Sequence, residues 1–258
     1  MQKMRLRLAA SVTLALAVAL IGCQTEPTLR QISTLQALMR GAYEGQIPCR
    51  DLSRYGSLGI GTFNDLEGEL ILLNGTVYQA RADGSIVRNP KTTTPFANVV
   101  SFEPQLVIRN LTQPFDFAQM QSLLDSRTGS KNLIYAARID GTFKKLKLRS
   151  VPKQKPPYPP LTDVVKQQQV FELTDVHGTM VGFRFPEYFR DMNLPGWHLH
   201  FISDDRKTGG HVLGMESTQL TVQLQTIRKF EMTLPTGGTF ATADLDKDLS
   251  KEIRAVEK

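Results

Sequence analysis

Three of the chain's four histidines lie within fourteen residues, at His198, His200 and His211. Side chains two apart on a β-strand point to the same face, so His198 and His200 can direct both imidazoles at one point while Leu199 faces away. Residues 203–210 are polar and end in two glycines, which is typical of a hairpin turn that returns His211 to the pair. Three imidazoles with an open fourth position describe a catalytic zinc site better than a structural one.

Alternatives to that interpretation concern both the residues and the metal. A lone histidine on a strand is more often a hydrogen-bonded core or surface residue, which is how we interpret His177. For the other three, the spacing and the scarcity of histidine elsewhere favour metal binding. Iron, manganese and nickel stay open beside zinc, because imidazole suits them too.

A three-histidine site is compatible with more than one function. A hydrolase or hydratase uses such a zinc ion to make hydroxide and usually needs a nearby carboxylate as base. An enzyme that stabilises an enolate needs positive charge and a proton donor beside the metal. A lipoprotein that only binds or transports metal would leave its histidines open to solvent, with no pocket beside them.

Apolar periodicity and turn signals predict the elements that position these histidines. Apolar residues from Leu29 to Met39 recur at helical spacing and predict an amphipathic first helix that ends near Gly41. Asn74-Gly75 and Asp83-Gly84 separate the next apolar runs and predict two hairpins. A second helix is predicted over residues 117–126, with the preceding aspartate as its cap.

The later part of the chain is predicted to consist mainly of strands. Residues 133–138 and 142–151 predict two strands that meet in a turn at Asp140-Gly141. The proline-rich segment from Pro152 to Pro160 cannot be helical and is predicted to be extended. Beyond it, Thr162 is the predicted cap of a short helix.

These elements predict an α+β fold class. Many strands, few helices and frequent hairpin turns favour two subdomains of mainly antiparallel or mixed β-sheet. We place the boundary in the proline-rich segment, so residues 29–155 form the predicted N-terminal subdomain. Residues 156–258 form the predicted C-terminal, metal-binding subdomain.

Residues 1–22 predict a secretory signal peptide. Three basic residues precede an uncharged apolar stretch that is shorter than the roughly 20 residues that a membrane-spanning helix needs. Gly22 followed by Cys23 resembles the lipobox of bacterial lipoproteins, so we expect a lipid anchor at Cys23 and a tether over residues 23–28. The expected location is the periplasmic or cell-surface side of a bacterial membrane, with simple secretion as the alternative.

Processing at Cys23 changes what the composition implies. Loss of Lys3, Arg5 and Arg7 lowers the formal charge of +6 by three units, to +3. Such a charge is too small for a nucleic-acid-binding surface. The chain has two cysteines, so a lipidated Cys23 leaves Cys49 without a partner and excludes a disulfide within the chain.

Several short motifs, taken in order, resemble those of one family. They are Gly59-Ile60-Gly61-Thr62-Phe63, Glu67-Gly68-Glu69-Leu70, Ile139-Asp140-Gly141-Thr142-Phe143, Leu148-Arg149-Ser150, Pro156-Pro157-Tyr158, His198-x-His200 and Gly210-His211. Together they resemble the alpha-acetolactate decarboxylase family over nearly all of the chain from about Leu29 onward. The resemblance implies a zinc-dependent enzyme that converts 2-acetolactate to acetoin and carbon dioxide through a metal-stabilised enediolate, and it also implies a homodimer.

The resemblance also implies roles for individual residues. The zinc ligands would be the three clustered histidines, the catalytic groups would be Glu69, Arg149 and Glu257, and Thr62 would line the substrate pocket. Arg149 carries a permanent charge and would stabilise the oxyanion that forms as carbon dioxide leaves, while orienting the substrate. Either Glu69 or Glu257 would donate the proton that completes acetoin, and the resemblance does not decide between them.

Arg149 has an alternative interpretation, because it follows three lysines in a strand. Alternation puts Lys145, Lys147 and Arg149 on one strand face, which could be a solvated basic surface. Burial of Arg149 would distinguish a role in the site from that surface.

Overall fold

The computed structural model describes residues 26–256. The predicted signal peptide, the predicted lipidation site Cys23 and the catalytic candidate Glu257 lie outside this range. Within it, the chain forms mainly β-strands with a few short helices, which confirms the predicted α+β class. None of the helices in this range is long and apolar enough to cross a membrane.

Strands and helices are numbered in chain order. The strands are β1 (Thr28–Ile32), β2 (Ile47–Pro48), β3 (Leu58–Thr62), β4 (Glu69–Leu73), β5 (Thr76–Ala80), β6 (Ile86–Arg88), β7 (Thr93–Thr94), β8 (Ala97–Val100), β9 (Leu106–Leu111), β10 (Phe115–Asp116), β11 (Ile134–Ser150), β12 (Gln169–Phe185), β13 (Gly196–Ser203), β14 (Gly209–Ile227) and β15 (Lys229–Thr233). The α-helices are α1 (Leu35–Met39), α2 (Phe117–Arg127), α3 (Leu161–Val164), α4 (Thr239–Thr242) and α5 (Ser250–Ala255).

Two large sheets form the framework of the described residues. The first has the strand order β15-β1-β8-β3-β4-β5-β6, in which β1 and β15 are parallel. The second has the order β10-β14-β11-β12-β13, with β9 paired to β14. Because β13 also pairs with β14, strands β11 to β14 form a closed ring of antiparallel neighbours.

The ring draws strands from both sides of the proline-rich segment. Strand β11 precedes that segment, and β12, β13 and β14 follow it. The division into residues 29–155 and 156–258 stays a prediction. As predicted, the proline-rich segment contains no helix, since residues 151–160 have no regular secondary structure.

Apolar side chains on alternating positions join the two sheets. Ile60 and Ile71 of the first sheet pack in one buried cluster with Val181, Phe183 and Ile202 of the ring. The opposite faces of the ring strands contribute to a second cluster beneath α2, which includes Phe143, Leu148, Leu199 and Phe201. Each ring strand therefore has one face toward the first sheet and one toward this second cluster.

The predicted first helix is wrong over its first part. Residues Thr28–Ile32 form β1, which pairs with β15 on one side and β8 on the other. Ser33 then takes a positive φ of 62°. The helix begins only after Thr34, whose side chain accepts a hydrogen bond from the backbone N–H of Ala37 at 3.1 Å. Pairing with two distant strands therefore outweighs the helical spacing of the apolar residues.

The predicted turn at Asp140-Gly141 is also wrong, because β11 continues through it without interruption. Gly141 lies between Gly178 and Leu220 of its neighbours. A Cβ atom at this position would lie 2.2 Å from the carbonyl oxygen of Gln219. The glycine thus permits a close approach between strands and does not mark a turn.

Other local predictions have mixed outcomes. The hairpins at Asn74-Gly75 and Asp83-Gly84 are confirmed as the β4–β5 and β5–β6 connections. Helix α2 is confirmed, and Asp116 caps it with a reciprocal bond to Gln119. The predicted cap at Thr162 is wrong, since Thr162 lies inside α3, which begins at Leu161 and has Pro160 at its cap position.

Candidate functional site

The ring brings the three histidines together. His198 and His200 lie on one face of β13, while Leu199 between them is buried in the cluster on the other face. The β13–β14 hairpin places His211 directly opposite His200. The Nε2 atom of His198 lies 3.1 Å from Nε2 of His200 and 3.0 Å from Nδ1 of His211. The predicted convergence of the imidazoles is therefore present.

This cluster fits a metal ion. Its three candidate ligand atoms all lie within 4.8 Å of one another, and ligand nitrogens around tetrahedral zinc are about 3.3 Å apart. His200 donates from Nδ1 to the backbone oxygen of Leu70 at 2.9 Å. This bond places the proton on Nδ1 and leaves the lone pair of Nε2 directed at the cluster.

Burial keeps His211 in the neutral form that binds metals. Its pKa lies well below the usual histidine range because burial disfavours the charged imidazole, and Arg149 and His200 add repulsion. Its Nδ1 atom faces His198, whereas its Nε2 atom lies 3.4 Å from Nη2 of Arg149. His211 thus connects the histidine cluster to a permanent positive charge.

Arg149 lies on β11, directly opposite His211. Only 6% of its surface is exposed, whereas Lys145 and Lys147 on the same strand are exposed. The guanidinium donates from Nη1 to the side-chain oxygen Oε1 of Gln168 at 2.9 Å. These observations exclude the alternative of a solvated basic face at Arg149.

Glu69 and Thr62 come from the first sheet, where they are direct neighbours on β4 and β3. Glu69 is 8% exposed, and its Oε2 atom lies 3.5 Å from Nε2 of His200. The Thr62 hydroxyl donates to the backbone oxygen of Gly68 at 2.8 Å, which ties the loop before Glu69 to β3. The carboxylate and the histidines therefore meet where the two sheets face each other.

A single cavity contains these groups. Thr62, Glu69, Arg149, His198 and His211 all line it. The remaining wall is mainly apolar and includes Leu35, Leu38, Leu66, Phe96, Val151 and Leu194. An apolar pocket with a few convergent polar groups is the usual form of a small-molecule site.

Two contacts of this site were not predicted from the sequence. The backbone oxygen of Leu70 orients His200, and backbone groups carry no signal in residue type. Gln168 binds Arg149, but it is the middle residue of three consecutive glutamines, and nothing distinguishes it from Gln167 or Gln169. The predicted catalytic residue Glu257 lies outside the described residues.

The fold and the site define a mainly β-sheet enzyme with a metal-competent pocket. The family model described as alpha-acetolactate decarboxylase matches residues 29–247. The alpha-acetolactate decarboxylase of Methanosarcina mazei is 44% identical over 231 residues, which cover 89% of this chain and 80% of that protein. The corresponding protein of Brevibacillus brevis is 40% identical over 230 residues, covering 89% and 80% of the two chains.

Solved structures agree with these relatives. The crystal structure of alpha-acetolactate decarboxylase from Bacillus subtilis strain 168 matches with a TM-score of 0.86 and 36% identity, over 89% of this chain and 99% of that one. A Staphylococcus aureus protein of unknown function, described as similar to alpha-acetolactate decarboxylase, matches with a TM-score of 0.85 and 34% identity, over 89% and 100% of the two chains. The present chain belongs to the alpha-acetolactate decarboxylase family and is a carboxy-lyase.

Proposed function

We propose that this protein converts 2-acetolactate to acetoin and carbon dioxide, with Zn²⁺ bound by His198, His200 and His211. The observation that carries the proposal is the convergence of three imidazoles beside Arg149 and Glu69 in one cavity. When bound, the ion would supply Lewis-acid stabilisation for the negative charge that the substrate's ketone oxygen gains as carbon dioxide leaves. Three imidazoles with an open position suit catalytic zinc.

Arg149 stabilises charge and orients the substrate in this proposal. Its guanidinium is buried beside His211, where a low dielectric strengthens its interaction with an anion. An arginine that held only the departing carboxylate would favour the ground state, so it contributes most to catalysis through the oxygen where charge accumulates. The guanidinium can also donate two parallel hydrogen bonds, which restricts the orientation of the substrate.

In this proposal Glu69 donates the proton that completes acetoin. It lines the cavity from β4 of the first sheet, whereas Arg149 lines it from β11 of the ring. A donor fixed on one side of the substrate delivers its proton to one face of the carbon and yields one enantiomer of acetoin. Thr62, next to it on β3, supports this wall by holding the loop at Gly68.

The apolar wall suits the rest of the substrate. 2-Acetolactate carries two methyl groups, and leucine and phenylalanine side chains surround the polar groups of the cavity. Such a wall excludes water, which strengthens the electrostatic interactions of Arg149 and Glu69 with the reacting atoms. It offers the methyl groups an environment that they favour over water.

The other two functions are less well supported. A metal carrier would have solvent-open histidines without a pocket, whereas His200 and His211 are buried beside a cavity. A hydratase or hydrolase would have no need of the buried guanidinium of Arg149. The family relationship agrees with neither alternative.

Incubation of the purified protein with racemic 2-acetolactate tests the proposal. Acetoin, carbon dioxide and bound metal are measured together, with the spontaneous decay of 2-acetolactate as the reference. We expect acetoin well above that reference and about one zinc ion per chain. Acetoin formation no faster than spontaneous decay, in protein with zinc fully bound, would remove the proposal.

Replacing Glu69 with glutamine should lower kcat by about a hundred-fold or more, since an amide cannot donate the proton. Zinc content should be unchanged, because the three imidazoles remain. The proton would then come from water, so the acetoin formed should lose enantiomeric purity, which chiral gas chromatography measures. Glu67→Gln, two residues earlier in the loop that precedes β4, is the matched control. If purity is lost only in Glu257→Gln, then Glu257 is the donor; if zinc is lost in Glu69→Gln, then Glu69 is a metal ligand.

We also propose that the protein is exported, anchored by lipid at Cys23, and dimeric. The support for export and anchoring is the basic and apolar sequence that ends in Gly22-Cys23. Expression of Cys23→Ala in a bacterium fed a labelled fatty acid should abolish labelling and move the protein from the membrane fraction to the soluble one. Persistence of label would contradict the anchor.

Light scattering of the purified protein tests whether it is a dimer.

A further inference from the structure

The loop between β3 and β4 has a backbone conformation that most side chains disfavour. Residues 63–68 form this loop, in which Asp65 has a φ of 60° and Leu66 has a φ of 57°. Aspartate tolerates this left-handed region, but a leucine does not, because its Cβ atom comes too close to the following carbonyl oxygen. Such strain persists only where surrounding contacts hold it, and it is concentrated near functional sites.

The strained conformation places Leu66 in the wall of the cavity. Leu66 is 2% exposed and packs in one buried cluster with other residues that line the cavity, namely Leu35, Phe96, Val151 and Leu194. Apolar side chains in such a wall set the space that is left for the alkyl groups of a small molecule. The position of Leu66 therefore affects which substrates the cavity can hold.

Asp65 ties this loop to the chain that follows β11. Its Oδ1 atom accepts a hydrogen bond from the hydroxyl of Tyr158 at 2.5 Å, and its Oδ2 atom lies 3.1 Å from Nζ of Lys153. Its backbone oxygen accepts from the N–H of Gln154 at 2.8 Å, and its own N–H donates to the oxygen of Tyr43 at 2.9 Å. Both the side chain and the backbone of Asp65 are therefore held.

The hydrogen bond from Tyr158 is the stronger of the two side-chain contacts. A hydroxyl that donates to a carboxylate forms a short, charge-assisted bond, whereas Lys153 is about half exposed and its ion pair contributes little. Burial raises the pKa of the Tyr158 hydroxyl, and the bond to Asp65 raises it further, so the hydroxyl remains a donor. The ring of Tyr158 is also fixed, because it packs edge-on against the buried ring of Tyr43, with centroids 5.3 Å apart.

The chain that Asp65 holds also lines the cavity, at Val151 and Leu161. The N–H of Gly68, at the end of the strained loop, donates to the oxygen of Val151 at 3.2 Å. The loop and residues 151–161 therefore form adjoining parts of one apolar wall. We propose that Asp65 is a positioning residue that holds Leu66 in this wall, and that the wall thereby limits the size of the alkyl groups on the substrate. This inference rests on the proposed function.

Substrate selectivity separates this role from a merely structural one. A variant that only destabilises the protein lowers kcat/KM for every substrate alike, whereas a variant that moves Leu66 changes the ratio between substrates. The probes are 2-acetolactate and two homologues, in which a propyl group replaces one or the other methyl group. In Leu66→Ala, the preference for 2-acetolactate over at least one homologue should fall by about ten-fold, since added methylenes in an apolar pocket change selectivity by that order.

Variants of Asp65 and Tyr158 test whether the aspartate holds the leucine. Asp65→Ala removes the acceptor and puts a residue that disfavours the left-handed region at this position, so the selectivity should change as in Leu66→Ala. Asp65→Asn keeps an acceptor and tolerates the same backbone conformation, so it should keep the wild-type selectivity within two-fold. Tyr158→Phe removes only the hydroxyl and should lower the preference by about three-fold.

Tyr188→Phe is the matched control for Tyr158→Phe. The hydroxyl of Tyr188 donates to the backbone oxygen of Asn132 at 2.9 Å, and neither of these residues lines the cavity. This variant also loses one tyrosine hydroxyl and its hydrogen bond, and it should keep the wild-type kcat/KM for all three substrates.

Amide hydrogen exchange provides a readout without turnover. The N–H of Leu66 donates to the oxygen of Phe63 at 2.9 Å, and that of Asp65 donates to Tyr43, so both amides are protected while the loop is held. Measured by mass spectrometry, residues 63–68 should exchange about ten-fold faster in Asp65→Ala. They should exchange at the wild-type rate in Tyr188→Phe.

The inference is overturned if Asp65→Ala or Leu66→Ala keeps both selectivity ratios within two-fold of the wild type, or if the loop of Asp65→Ala exchanges at the wild-type rate. Should Asp65→Ala fail to fold, Tyr158→Phe decides alone, and wild-type selectivity in that variant overturns the inference. Failure of the proposed function looks different: the wild-type protein would convert none of the three substrates, while hydrogen exchange would still report whether Asp65 holds the loop.

Discussion

Replacing His200 with alanine should remove both the bound metal and the decarboxylase activity. His200 is fully buried, and its Nε2 atom lies 3.1 Å from that of His198. Loss of one of three imidazoles leaves two ligands, which hold a divalent ion much less firmly in competition with water. A metal ion that stabilises a developing charge contributes several kcal/mol, so kcat/KM should fall by about a thousand-fold or more.

The measurement is zinc content by elemental analysis, together with acetoin formation. His177→Ala is the matched control, because His177 is the fourth histidine, is exposed and contacts Thr142 instead of the cluster. It should keep both zinc and activity. Chelation of the wild-type protein should abolish activity, and added Zn²⁺ should restore it. Full activity in metal-free protein would contradict the proposed role of the cluster.

The histidine cluster could be predicted from the sequence because its signals are local. The i, i+2 spacing fixes the shared face of His198 and His200, and the polar turn returns His211 within one hairpin. Helix α2 was predictable for the same reason, since Asp116 and Gln119 cap it from within the segment.

Features that depend on distant strands could not be predicted from local pattern. Residues 28–32 have helical spacing, yet they form a strand between β15 and β8, which are far away in sequence. Asp140-Gly141 has the sequence of a turn. The neighbouring strand β14, however, lies too close to Gly141 for a residue with a Cβ atom. Sequence pattern does not report such contacts, because they exist only after the sheets assemble.

The residues of the cavity likewise include some that local sequence pattern predicts and some that it does not. Glu69 and Thr62 lie more than a hundred residues before the histidines, on the other sheet, and only the family resemblance connects them. No local signal marks Gln168 among three glutamines. The chemistry of each residue type was therefore predictable, whereas the partner that orients it was not.

Replacing Arg149 with alanine should lower kcat by about a hundred- to a thousand-fold while zinc remains bound. This magnitude is typical of the loss of one group that stabilises an oxyanion. Arg149 touches His211 at a nitrogen that faces away from the other histidines, so the ligand set survives the change. Arg149→Lys should recover little activity, because a lysine is a point charge that cannot bind Gln168 and the substrate in the geometry of a guanidinium.

Lys147→Ala is the matched control, since Lys147 lies two residues earlier on β11 and is exposed. It removes the same charge from the same strand and should leave kcat, KM and zinc content unchanged. If Arg149→Ala keeps wild-type turnover of 2-acetolactate, the reaction proceeds without charge stabilisation by the guanidinium, and the proposed role of Arg149 is wrong. If instead zinc is lost with Arg149, the residue supports the metal site, and the measured fall in kcat reports on the metal and not on the oxyanion.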